Sequence, residues 1–179
     1  MSNILVNTIK DTGNNTLLSS DGSGSVTLGS GFPDNTPAFF ATATGTQSLT
    51  NNTITKVQFA SEVYDTNNAY DNSTNYRFTV PSGYAGKYFI YSSLNSFAGA
   101  VSNLDNFWIY IYKNGSKVFE RWNGFANNYV YLSTIAASHS MDLLEGDYIE
   151  IYTQVTDTSG NPELFSTFQN FGAYRLIGA

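Results

Sequence analysis

Large apolar residues along this chain recur with a period of two, which places alternate side chains on opposite faces of a β-strand. The run from Gly86 to Phe97 is the longest, with Tyr88, Ile90, Ser92 and Leu94 sharing one face. Tyr76-Arg77-Phe78-Thr79-Val80 alternates and stops at Pro81, which has no N–H to offer a neighbouring strand. Phe39 to Ala43 predicts a strand, as does the nearly continuous apolar and aromatic run from Phe107 to Tyr112. Lys113-Asn114-Gly115-Ser116 then supplies a hairpin turn, and Lys117 to Trp122 leads out of it. Tyr129 to Ala137 alternates again, Glu145-Gly146-Asp147 turns the chain into Tyr148–Thr153, and Leu164 to Ile177 closes it. Strands at roughly 8–14-residue spacing, with turn signals between, predict an all-β fold, a sandwich or jelly roll. No stretch predicts a helix of three turns.

The first 31 residues follow a different pattern. Short β-prone runs at Ile4–Ile9, Thr16–Leu18 and Ser25–Leu28 are separated by Asp11-Thr12-Gly13-Asn14-Asn15 and Ser19-Ser20-Asp21-Gly22-Ser23-Gly24, both strong turn signals. With few large apolar residues and no aromatic before Phe32, this segment cannot bury a core alone. Two parts are therefore expected: residues 1–31, either disordered or packed on a partner chain or on copies of themselves, and residues 32–179 forming the β domain.

Composition narrows the function. Only 12% of the 179 residues are charged while 16% are aromatic, and the net charge is −6. Disordered chains have the opposite balance. The eight Lys and Arg residues are scattered singly, which excludes a nucleic-acid binder driven by phosphate contacts. The chain has no cysteine, so neither a disulfide nor a thiolate metal site is available. The N-terminus lacks a basic, apolar signal segment, and no run approaches the ~20 apolar residues of a membrane-spanning helix.

Candidate catalytic chemistry is thin. The single histidine, His139, lies in Ala137-Ser138-His139-Ser140-Met141, and no Gly-x-Ser-x-Gly elbow presents a serine to it. A glycosidase needs paired carboxylates. Asp142, Glu145, Asp147 and Glu150 are close in sequence, but Asp147 and Glu150 fall on opposite faces of a strand, and Glu145 and Asp147 flank a turn glycine. Asp65-Thr66-Asn67-Asn68-Ala69-Tyr70-Asp71 is the best oxygen-rich loop for calcium, with Asp65 and Asp71 as ligands, although it lacks the glycine and final carboxylate of an EF-hand. The Asn-x-Ser/Thr sequons at Asn14, Asn51, Asn72 and Asn114 are expected by chance among twenty asparagines. No catalytic residue, cofactor or metal is expected.

The aromatics carry more information. Many strands are aromatic or apolar on both sides, more than the two inward faces of one sandwich require. Burial between subunits absorbs such a surplus, and tyrosine suits it because a large apolar ring carries a hydroxyl that finds a partner. The candidate subunit-contact residues are Phe39, Tyr88, Tyr110, Tyr112, Tyr129, Tyr131 and Tyr174.

Residues 37–179 resemble the globular-head jelly roll of the complement one-q and tumour-necrosis-factor superfamily, in its viral and bacterial branch. The resemblance rests on ordered segments. Pro37-Ala38-Phe39-Phe40-Ala41 opens it, followed by Val57-Gln58-Phe59, Tyr70-Asp71 and Tyr76-Arg77-Phe78-Thr79-Val80-Pro81. Gly86-Lys87-Tyr88-Phe89-Ile90 and Ile109-Tyr110-Ile111-Tyr112-Lys113-Asn114-Gly115 come next, then Leu144-Glu145-Gly146-Asp147-Tyr148-Ile149-Glu150-Ile151 and Phe171-Gly172-Ala173-Tyr174-Arg175-Leu176-Ile177. Ile90 stands where the family usually has an aromatic, Ser82-Gly83-Tyr84-Ala85 lengthens a turn, and Gly172 follows Phe171 directly. The resemblance implies a tight homotrimer that binds proteins, glycans or other surfaces through its loops and is not an enzyme. Residues 7–24 resemble the N-terminal leader of tailed-phage structural proteins.

Together these imply a virion protein of a tailed phage: a trimeric fibre or appendage whose residues 1–31 dock on other virion proteins or knit the trimer, and whose antiparallel jelly roll, residues 32–179, presents loops to a host-surface glycan or protein. Asn103, Asp105, Trp122, Asn123, Phe125 and Asn127 are the candidate loop residues. The alternative is a capsid decoration protein that stabilises the head. A glycan-degrading enzyme and a bacterial adhesin rank behind both. Neither nucleic-acid binding nor membrane insertion is expected.

Overall fold

A computed structural model describes residues 7–29, 34–98, 103–125, 130–158 and 160–177. The chain divides into two compact units, Met1–Asp34 and Asn35–Ile177. Every regular element among the described residues is a β-strand, and all strand pairs are antiparallel.

The small unit is a three-stranded sheet in which β1 (Thr8–Lys10), β2 (Thr16–Ser20) and β3 (Val26–Leu28) pair in order. Its turns are fastened by aspartates. The Asp11 carboxylate accepts the backbone N–H groups of Gly13 and Asn15, and Asp21 accepts those of Ser23 and Ser25. None of the described residues of this unit is buried. Ile9, Val26 and Leu28 are 44%, 63% and 56% exposed.

The large unit contains β4 (Ala38–Thr42), β5 (Gln47–Ser48), β6 (Thr55–Lys56), β7 (Ser61–Asp65), β8 (Tyr70–Asp71), β9 (Arg77–Thr79), β10 (Gly86–Phe97), β11 (Leu104–Lys113), β12 (Ser116–Gly124), β13 (Leu132–Leu143), β14 (Tyr148–Asp157), β15 (Glu163–Leu164) and β16 (Asn170–Arg175). One sheet runs β5-β15-β10-β16-β4-β7, with β13 along the other edge of β10. The second runs β12-β11-β14-β9-β8, with β6 added to β14. Neighbours in space come from distant parts of the chain, as in a jelly roll.

Alternation places the core between these sheets. Tyr88, Ile90 and Leu94 of β10 point inward together with Phe171 of β16, and meet Phe107, Ile109 and Ile111 of β11. Phe39 is central: it stacks on Tyr70 at 4.6 Å and Phe78 at 5.0 Å, and meets the edge of Phe171 at 4.8 Å. Such ring pairs add about 0.5–1.5 kcal/mol each beyond their area. The buried tyrosines find acceptors, Tyr70 Oη donating to the Phe59 carbonyl at 3.0 Å and Tyr88 Oη to that of Tyr84 at 2.7 Å.

Turn chemistry sets the registers. Asn114 and Gly115 both have positive φ, 51° and 75°, giving the turn whose twist matches a hairpin. Gly146 has φ 81° in a turn closed by the Asp147 N–H donating to the Leu144 carbonyl at 3.0 Å.

Candidate contact faces

Two outward faces of the large unit are rich in aromatic side chains. On the sheet of β4, β7, β10 and β16, one row of rings runs across the strands. Tyr64 lies 6.2 Å from Phe40, Phe40 6.3 Å from Tyr91, Tyr91 6.1 Å from Phe89, and Phe89 5.5 Å from Tyr174. Burial, and then the neighbouring Tyr64 hydroxyl, push the Tyr91 hydroxyl up to about 12. Gly172 makes room for this row. A Cβ there would stand 2.4 Å from Cζ of Tyr91, so only glycine lets that ring lie flat across β16. Beside the row, a shallow groove of about 340 Å³ is lined by Tyr91, Ser93, Ala136, Ser138, Asn170 and Arg121 among others.

The opposite face belongs to β11, β12 and β14. Pairing places Trp108 between Trp122 and Gln154, and Tyr110 between Glu120 and Tyr152. The two indoles stack at 6.2 Å, and Trp122 Nε1–H donates to Asn106 Oδ1 at 3.1 Å. Tyr110 Oη donates to Gln154 Oε1 at 2.8 Å, and Gln154 Nε2 donates to Asn52 Oδ1 at 2.7 Å. Cations lie against the tyrosine rings of this face. Lys117 lies 5.2 Å from the Tyr110 ring, Lys56 5.7 Å from that of Tyr152, and Arg77 4.4 Å from that of Tyr148. Glu150 is buried there in an ion pair with Lys56.

The structure redistributes the residues singled out from sequence. Phe39 and Tyr88 lie wholly in the chain's own core, so neither is available to a subunit face; one step of strand parity separates Phe39 from the outward Phe40. Tyr174 belongs to the outward row, while Tyr110 is buried under its neighbours on the opposite face and Tyr112 is half-buried there. Tyr131 is exposed, edge-on to Phe97 at 4.6 Å. Tyr129 and Asn127 lie outside the described residues. Asp105 and the pair Trp122–Asn123 sit in strands rather than loops, and Phe125 packs against the core. Asn103 lies just before β11, its carbonyl accepting the Thr158 N–H at 3.0 Å.

The calcium candidates are turn fasteners. Asp71 accepts the N–H groups of Ser73, Thr74 and Asn75, which hold its carboxyl well below the usual carboxylate range, the Thr74 bond contributing most. Asp65 accepts from the Asn67 and Tyr70 N–H groups. Asp71 thus has both oxygens engaged by its own loop, while each Asp65 oxygen accepts one bond; no cluster of three metal-ligating side chains occurs among the described residues.

The catalytic candidates are similarly engaged. The His139 ring stacks on Phe119 at 4.8 Å, and alternation turns Ser138 and Ser140 to the other face of β13. Asp142 pairs with Lys87 at 2.7 Å, and Glu145 accepts the Gly83 N–H at 3.1 Å. Lys113, with help from Asn114, lowers the Asp147 carboxyl to about 2. A general acid requires the opposite shift.

The paired sheets, their strand order and the hairpins between them define a jelly roll of the tumour-necrosis-factor and complement one-q type. Solved structures bear this out at the level of fold. The crystal structure of murine APRIL matches with a TM-score of 0.57 at 13% identity, covering 78% of this chain and 98% of its own. Eiger TNF from S. frugiperda matches with a TM-score of 0.56 at 10% identity, covering 82% and 96%. The globular domain of zebrafish complement 1qA matches with a TM-score of 0.55 at 15% identity, covering 79% and 98%. No protein-family model and no curated protein matches the sequence.

Proposed function

We propose that this chain is a non-catalytic virion protein of a tailed phage. It assembles as a homotrimer through the ring row of Phe40, Tyr64, Phe89, Tyr91 and Tyr174, and projects from the particle to contact the host surface. The observation that carries the reading is that row: five neighbouring aromatic rings face outward, with a glycine conserving space for one of them. A jelly roll of this type commonly assembles in threes, which supports the same contact. The small unit supports docking on the particle. Its sheet exposes Val26 and Leu28 on strands too short to cover them, so a partner surface is needed.

A capsid decoration role is the second reading. It is favoured by the small unit, whose described residues form three short strands. The test is electron microscopy of particles carrying the full chain and of particles carrying residues 32–179 alone. The fibre reading expects density at the tail, lost on truncation. Many copies over the head support decoration, and full occupancy by the truncated chain contradicts docking through residues 1–31.

A further inference from the structure

Resting on the reading of this chain as a binding protein, we propose that the indole pair on β11 and β12 is a binding platform for a neutral pyranose oligosaccharide. Trp122 is 57% exposed, yet it is not a loose side chain. It stacks on Trp108, and Asn106 holds its ring nitrogen. Gly124 leaves space beneath it, since a Cβ there would lie 2.6 Å from Cζ2 of Trp122. An indole fixed in water before any ligand arrives avoids the ordering cost that a free side chain meets on binding.

The neighbours of the pair select the ligand. An aromatic face alone accepts any apolar surface. Here the flanking positions are amides held in fixed orientation: Asn106 beside Trp122, Gln154 beside Trp108, and Asn52 bonded to Gln154. A pyranose presents an apolar C–H face to a ring and hydroxyls at its rim to amides, which donate and accept equally. Glu120, two residues along β12, is paired with Lys117 at 2.6 Å, so neither leaves a free charge beside the indoles to draw an acidic sugar, and the net charge of −6 disfavours one. A second copy of this chain fits worse, because its docking would strip water from the amides without replacing their hydrogen bonds. This places the sugar site on a sheet face rather than in the loops, and on the sheet opposite the ring row. A trimer would hold three such platforms, raising a weak single-site affinity by multivalency.

Trp108 and Trp122 are the only two tryptophans in the chain, so intrinsic emission reports this site directly. The full chain is screened on an array of neutral and acidic oligosaccharides, and a bound neutral oligosaccharide is then titrated against tryptophan emission. The expected result is a saturable change that Trp122→Ala abolishes without altering circular dichroism or molecular mass. Asn106→Ala should weaken binding about tenfold by releasing the indole. The proposal is overturned if the folded protein binds no neutral oligosaccharide, or if Trp122→Ala binds as well as the parent. It is also overturned if acrylamide fails to quench the emission of the assembled protein, which would make the indoles a subunit contact. A monomeric mass with sugar binding intact would refute the trimer and leave this site standing.

Discussion

The two outward faces of the jelly roll are both aromatic, but their rings have different neighbours. Along β4, β7, β10 and β16 the rings touch chiefly one another, and a glycine is spent to keep Tyr91 flat. Along β11, β12 and β14 several rings are tied to polar groups: Trp122 to Asn106, Tyr110 to Gln154, Tyr148 to Arg77. Burying the first face costs little hydrogen bonding, so another protein surface covers it well. Burying the second leaves amides unpaired unless the partner carries hydroxyls. Aromatic content alone therefore does not mark an interface; the groups that hold the rings decide what will cover them.

The sharpest break of this comparison uses adjacent residues of β4. Phe39→Ala should destabilise the fold by about 3–5 kcal/mol in urea unfolding, whereas Phe40→Ala should leave the isolated chain within about 0.5 kcal/mol and weaken association instead. Equal losses at both positions would show that Phe40 is merely packing. Gly172→Ala comes next. The new methyl collides with Tyr91 and should reduce stability or association by about 1–3 kcal/mol, while the same change at exposed Gly45 should not.

Acid sensitivity is a smaller effect. Asp147 is lowered from 3.8 to about 2, and Asp71 is lowered too. A depressed carboxyl contributes stability above its unfolded value and loses it as pH falls through the folded one. The melting temperature should hold between pH 7 and 5, then fall from about pH 4 toward pH 2, with a shallower fall in Asp147→Asn. A steep loss already at pH 6 would point to another group. The smallest expected effect is none at all. A chelator should leave the melting temperature unchanged, because Asp65 and Asp71 fasten their own loop through backbone amides; a clear drop would make them calcium ligands.

Much of the fold was legible in the sequence because alternation and turn residues act locally. The run Gly86–Phe97 is a strand with those bounds, and its expected inward face is the buried one. The Asn114-Gly115 turn also holds. What escaped depends on long-range register. Counted back from that turn, Trp108 falls opposite Arg121, but a bulge between Ile111 and Tyr112 shifts the pairing and sets it against Trp122. The Phe39-Phe40 doublet hid which ring faces inward, since parity is fixed by the partner strands β16 and β7. The strand Leu132–Leu143 ran past its expected end because its serines and alanines carry little β signal, and full pairing with β10 holds it. Asp71 stands in the most oxygen-rich loop of the sequence, and composition cannot show that its oxygens turn back onto that loop.

Light scattering of the full chain at micromolar concentration, beside Tyr91→Asp, tests the central claim that the ring row joins subunits. The account predicts about three times the 19.6 kDa chain mass for the parent and a single chain mass for the folded variant. A monomeric parent, or a variant that assembles unchanged, would contradict it.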